Sequence, residues 1–307
     1  MHSFSKKLAM FGASVILAAS FSTITVASAQ DKFERFTVSD PENTQAVDYT
    51  PLDKFYAQVS QTKRGRIQFR YDALEQSGTG ALDAFIATLG RIPPSRLSEK
   101  EQLAYWLNLR NILVIRAIAG DNPKSLKRGR GSLSNPGELW TRKRITVEDV
   151  NLSIDEIERN IILANWGDNP DIIYGLYQGV EGGPSFTPAV NYTGATAPET
   201  LKERGAAFIN GRNVVRVKKG KANIPGIFEW YQQGVFGGDE ASLLAHIAAH
   251  ADGDLASDLA SASGVSFKKV DYGIDRVEIR QQRQFNSGGF SGGGGGSYGG
   301  GGGGGGS

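Results

Sequence analysis

Residues 98–120 constrain the fold more than any other stretch of the chain. Ser98 followed by Glu101 is the pattern of a capping box, in which the serine oxygen accepts an orphan backbone N–H while the glutamate reaches back to the serine's own N–H. No glycine or proline interrupts the run until Gly120, and Pro123 lies just beyond, so a helix over about 99–119 is predicted. Its apolar residues, Leu103, Trp106, Leu107, Ile112, Val114, Ile115 and Ile118, spread over a broad surface instead of one stripe. Such a helix is buried only if other elements cover it on several sides, which makes it the centre of the domain.

The same box recurs at Ser153 and Glu156 before "IDEIERNIIL", and at Thr196 and Glu199 before "LKERGAAFI", so helices dominate the expected fold. Strand signals are fewer. "RITVEDV" (144–150) and "NVVRVKKG" (213–220) show the alternation and β-branched content of short half-buried strands. "DIIYGLYQG" (171–179) reads as a buried strand, and "VEIR" near Val277 as one that closes the sheet. The predicted class is α+β: a single helix-rich domain with a small sheet, over 49–280.

Both ends are set apart. Lys6 and Lys7 precede an apolar run that closes on Ala27-Ser28-Ala29, a signal peptidase pattern, so 1–29 is read as a signal peptide and the mature chain is expected to begin at Gln30. No transmembrane anchor is expected after cleavage. The polar segment 30–48 reads as a flexible lead-in. The stretch 281–307 is rich in Gly and Ser, almost entirely so from Asn286 apart from Phe290 and Tyr298, which cannot bury enough surface to offset the entropy of ordering, and is predicted to be disordered.

Composition removes several chemistries. The 307 residues include no cysteine, which excludes thiolate catalysis, disulfide exchange and cysteine-held metals. The formal charge is +2 and falls to about zero once the leader's two lysines go, so no nucleic-acid partner is expected. Basic clusters at 124–130, 142–144 and 215–221 read as solvated loops, although a fold that gathered them would make a patch. No glycine-rich segment ends in the Lys-Ser/Thr of a phosphate loop, and the acid pairs Glu148/Asp149 and Asp155/Glu156 sit in strand-edge and cap contexts.

The motifs "EQLAYWLNLRNILVI", "LSIDEIERNIIL", "NPDIIYGLYQGVEGGPSF", "YTG" with a helix ending "AAFIN", and "IPGIFEWYQQGVFGG" follow one another as in domain-of-unknown-function family 547. The chain resembles that family from about Asp48 to Val277, with a core over about 97–210. Trp106, Asn108 and Asn111 match the family's asparagine helix, while Arg110 stands where tyrosine is usual. Arg159 and Ile173 stand where histidines are usual, Gln178 and Gly183 where cysteines are, and Tyr272-Gly273-Ile274 where Tyr-Asp-Trp is. A thiolate, an imidazole and a carboxylate at such places make a nucleophile, its base and an orienting acid. The resemblance thus implies a degenerate site and brings no settled activity.

The candidate binding residues are Trp106, Asn108 and Asn111 on the helix and Gln178, Glu181, Gly182, Gly183 and Pro184 in the loop "QGVEGGPSF". The glycines allow close approach, Pro184 biases Gly183 toward an extended backbone, and the loop is expected to present its N–H groups to the two asparagines as a structural clasp. No catalytic residue and no cofactor is assigned. His246 and His250 have the i, i+4 spacing of a metal pair, with Asp252 and Asp254 as oxygen donors nearby, but Ile247 replaces a metallopeptidase's glutamate. The pair is expected on the exposed face of a helix, with no metal bound. The function expected is that of an exported, periplasmic or extracellular accessory protein that binds an envelope component or small ligand without catalysis. Two rivals stay open: a hydrolase or transferase using Glu181 and Asn108, and a metal-binding protein through His246 and His250.

Overall fold

The computed structural model describes residues 31–77, 79–123, 126 and 136–277. The leader at 1–29, the tail at 281–307, the end of "VEIR", and all of 124–130 except Leu126 lie outside them. The order begins with α1 (Asp31–Glu34), α2 (Thr50–Val59), the hairpin of β1 (Ser60–Lys63) and β2 (Arg66–Phe69), α3 (Tyr71–Ser77) and α4 (Gly80–Gly90). The long α5 (Glu99–Asp121), α6 (Glu138–Thr141) and the hairpin of β3 (Lys143–Val147) and β4 (Val150–Ser153) follow. Next, α7 (Ile154–Glu156) continues through a π-helical turn (Ile157–Ile162) into α8 (Leu163–Trp166), and α9 (Ile172–Gly175) precedes α10 (Ala197–Ile209). The remainder is β5 (Arg216–Lys218), β6 (Lys221–Ile224), α11 (Ile227–Val235), α12 (Glu240–His250), α13 (Gly253–Ala260) and β7 (Val265–Phe267).

The α+β class read from the sequence is the one observed. α5 is buried on every side from Leu103 to Ile115, with α3, α4, α10 and the π-helical turn packed around it. It outruns its predicted end: Gly120 is helical, and Asn122 closes the helix in the left-handed region (φ 37°), a conformation that asparagine tolerates. The strands form three small sheets instead of one. β1–β2 and β3–β4 are antiparallel hairpins, and β6 pairs with β5 antiparallel and with β7 parallel. Among the described residues no helix is long and apolar enough to cross a membrane.

Four local expectations are overturned. The lead-in 31–48 packs instead of staying flexible: Phe33 and Phe36 sit three residues apart on a turn, and Phe36 is fully buried edge-on against Trp106 at 5.0 Å. "RITVEDV" is one strand and a reversal, with Glu148 (φ 44°) and Asp149 (φ 65°) turning the chain into β4. "DIIYGLYQG" is buried but is no strand; it makes the single turn α9 and then an irregular run, with one bridge from Val180 to Ile274. Of the three capping boxes only that of Ser153 and Glu156 closes. Ser98 accepts from Glu101 N–H, but the Glu101 carboxylate is buried and takes N–H groups from Val47 (3.0 Å) and Gly194 (2.7 Å) instead. Thr196 spends its hydroxyl on the Asn191 carbonyl at 2.8 Å, and α10 begins without a side-chain cap, with Pro198 in its first turn.

Candidate functional site

At the heart of the domain is a closed ring of four polar side chains. Arg110 projects from the middle of α5, Glu158 from the π-helical turn, Gln178 from the start of the loop and Tyr231 from α11. Arg110 Nη2 donates to Glu158 Oε2 at 2.6 Å and to Gln178 Oε1 at 3.1 Å. Gln178 Nε2 donates to the Tyr231 hydroxyl at 2.6 Å, which in turn donates to Glu158 Oε1 at 3.0 Å. Each of these four contacts pairs a donor with an acceptor, which closes the ring. Arg110 also donates to the Tyr177 carbonyl, and its guanidinium lies 5.5 Å from the centre of the Trp140 ring. The Arg110 and Glu158 side chains are both fully shielded from solvent. A charge inside an all-round apolar helix is tolerated only when paired and hydrogen-bonded, and the ring supplies both conditions. π-helical turns interrupt the regular i, i+4 bonding and recur at functional sites; here the turn carries the acid of the ring.

The two asparagines are buried and bonded to backbone, but they hold the flanks of the loop and not the loop's own N–H groups. Asn111 Nδ2 donates to the Gly175 carbonyl at 2.8 Å, and its Oδ1 accepts from Tyr177 N–H at 3.1 Å. Asn108 Nδ2 donates to the carbonyls of Ala189 (3.2 Å) and Tyr192 (3.0 Å), beyond the loop's far end. The loop itself is held by the segment near the end of the domain: Glu181 N–H donates to the Gly273 carbonyl, Gly182 N–H to Asp271, and Asp275 N–H to Gly179. Gly179 needs its freedom, since φ is +69° and a Cβ there would come within 2.4 Å of Ile118. Gly182 lies so close to the Asp271 backbone that a Cβ would meet its nitrogen at 2.9 Å.

The other predicted site residues separate. Trp106 belongs to the core with Phe36 and Tyr105. Gly183 and Pro184 are buried, and the Gly183 carbonyl accepts from Arg66. Glu181 is exposed on a crevice that also holds Lys63, Arg64 and Arg66, whereas Asn108 is buried, so the pair does not frame one pocket. Arg159, where the resemblance places a histidine, is half-exposed and pairs with the buried Asp155. Ile173 and Pro184 instead meet Phe208, Phe228 and Tyr231 around an apolar gap too small to admit water.

The histidine pair departs furthest from its expected place on an exposed helix face. His246 and His250 face inward and not into solvent: His246 stacks on Tyr174 (ring centroids 5.7 Å) and His250 meets the same ring edge-on (5.5 Å). His250 Nε2 lies 2.7 Å from Asp171 Oδ1, and His246 Nε2 lies 3.9 Å from the same oxygen and 2.9 Å from the Tyr174 hydroxyl. Burial, reinforced by the neighbouring His250, lowers the His246 pKa to about 4 despite the pull of Asp171, so the imidazole is neutral at pH 7. Neither aspartate proposed from the sequence joins them. Asp252 is bonded to Asn210, and Asp254 is exposed on α13. The acid is Asp171, which follows Asn169-Pro170 and reads in sequence as no more than a turn.

Residues 94–209 match the model of a family described as "Protein of unknown function, DUF547". The match contains Arg110, Glu158, Gln178 and both asparagines, and it ends at α10, before Tyr231 and the histidines. No curated protein and no solved structure matches the chain.

Proposed function

We propose that this chain, a DUF547 protein over residues 94–209, is a non-catalytic binding protein, exported and associated with the cell envelope. The observation that carries the reading is the state of Gln178. Where the family resemblance places a cysteine, the chain has an amide whose oxygen and nitrogen are both engaged by Arg110 and Tyr231, inside a ring without solvent access. A nucleophile or base must reach substrate, and nothing in that ring does. The rival enzyme reading needs Glu181 and Asn108 to act together. Asn108→Ala is expected to destabilise the fold by about 1–3 kcal/mol, the usual penalty for stranding buried hydrogen-bonding groups. Glu181→Ala is expected to leave the melting temperature unchanged, with no turnover of chromogenic ester, amide or phosphate substrates by either protein. A fully stable Asn108→Ala protein, together with turnover that Glu181→Ala abolishes, would identify a working enzyme.

A second reading, metal binding, is favoured by the convergence of Asp171, His246 and His250, whose ligand atoms all lie within 4.8 Å of one another. Two imidazoles and a carboxylate are a suitable set for zinc, and neutral His246 offers its lone pair without first losing a proton. An entering ion has to displace the His250–Asp171 and His246–Tyr174 hydrogen bonds, which points to micromolar and not nanomolar affinity. Calorimetric titration with zinc is expected to show one saturable site that His246→Ala removes. Absence of saturation, or a site indifferent to that change, excludes this reading.

A further inference from the structure

The basic residues gathered by the fold are not the clusters visible in the sequence. A cleft of about 880 Å³ beside Pro184 and Ser185 is lined by Arg64, Arg66, Arg204 and Arg212, with Phe208 and Val214 among its apolar walls and no aspartate or glutamate in its lining. Arg64 and Arg66 come from the β1–β2 hairpin, Arg204 from α10 and Arg212 from the turn that follows it. Arg66 is neutralised by buried Asp275 at 2.6 Å and fixed by the Gly183 carbonyl at 2.9 Å. Arg204 donates to the Phe186 carbonyl at 3.2 Å. Among the described residues neither Arg204 nor the exposed Arg64 and Arg212 forms an ion pair with a carboxylate, so three arginines outside any salt bridge line one cleft.

Two further features reinforce that concentration of charge. Arg64 holds a left-handed backbone (φ 53°) ahead of Gly65 (φ 76°), where asparagine or glycine would turn the hairpin with less strain. That turn carries the Arg64 side chain into the lining of the cleft. Behind the cleft, Lys268 Nζ donates to the carbonyls of Asn213 and Val214, and its pKa is lowered by burial and by Arg216 and Lys218, which marks the surroundings as positive. The neighbouring crevice differs: its lining mixes the acids Glu181, Asp271 and Asp275 with Lys63, Arg64, Arg66 and Arg276, and Arg64 stands between the two.

We propose that the arginine-lined cleft binds a small soluble organic polyanion, one that carries two or more phosphate or carboxylate groups. Guanidinium forks engage such groups bidentately, and Phe208 with Pro184 offers an apolar face for the rest of the molecule. The volume suits a single small molecule. The inference rests on the binding-protein reading above and gives it a ligand class. The two fail separately, because turnover of a substrate would sink that reading and leave the cleft's anion binding untouched.

The test is calorimetric titration of the whole chain with pyrophosphate and with citrate at low salt, alongside sedimentation with phosphatidylglycerol vesicles. Arg64→Gln/Arg212→Gln is the informative variant, since both residues are exposed and its melting temperature should match that of the parent. Saturable binding of pyrophosphate or citrate, weakened by about tenfold or more in the variant and by added salt, is the expected result. The proposal is overturned if neither probe saturates below about 1 mM, a threshold of weak binding, or if the variant binds equally well. It is also overturned if only the vesicles bind, which would assign the arginines to a membrane surface.

Discussion

Replacing Arg110 by methionine is expected to destabilise the protein by about 3–5 kcal/mol, seen as a lower urea midpoint with an unchanged slope. Methionine fills much of the volume but leaves the Glu158 carboxylate in the core with Tyr231 as its partner from the ring, and Gln178 loses the donor to its Oε1. The penalty comes from the stranded charge and not from the net worth of the ion pair, which desolvation largely cancels. Adding Glu158→Gln to Arg110→Met should therefore restore part of the loss, because an amide is far less costly to bury than a carboxylate. A single substitution that costs less than about 1 kcal/mol would mean that water reaches Glu158 and that the ring is open.

Local signals in the sequence hold where the chain's own neighbours decide the structure. α5 was legible because its start and its all-round apolar surface are coded within the segment, and Ser153 with Glu156 closes its box as the pattern requires. The signals failed where a distant partner offered more. Glu101 is buried and receives two N–H groups from other loops, so it abandons Ser98. Phe36 is an isolated apolar residue in a polar lead-in, and only Trp106, seventy positions away on α5, gives its ring a partner.

The site was half legible for the same reason. Buried amides on an apolar helix must find partners, so the asparagine clasp followed from α5 alone, but its targets at 175–177 and 189–192 did not. Arg110 was visible as a departure from the family pattern. What the sequence could not supply was its counter-charge, 48 residues away on a helix that turns π-helical, or the Tyr231 hydroxyl, 73 residues beyond Glu158. A lone arginine in the middle of a helix apolar on all sides is nevertheless a usable sign that a buried acid exists. His246 and His250 carried a similar sign; their i, i+4 spacing was plain, while their burial and Asp171 were not.

The central claim is that the position where the family resemblance places a cysteine is sealed. Because the chain contains no cysteine, a thiol introduced there is the sole reporter. The measurement is the labelling rate of Gln178→Cys by a thiol-specific disulfide reagent at neutral pH, compared with Glu181→Cys on the exposed part of the same loop. Access to position 178 requires the domain to open, at a free energy of about 4 kcal/mol or more, so its labelling should be at least roughly a thousandfold slower than at 181 and should accelerate steeply with urea. Labelling of a folded Gln178→Cys protein at a rate close to that of Glu181→Cys would contradict the account, and would show a solvent-reached site where a sealed ring is described.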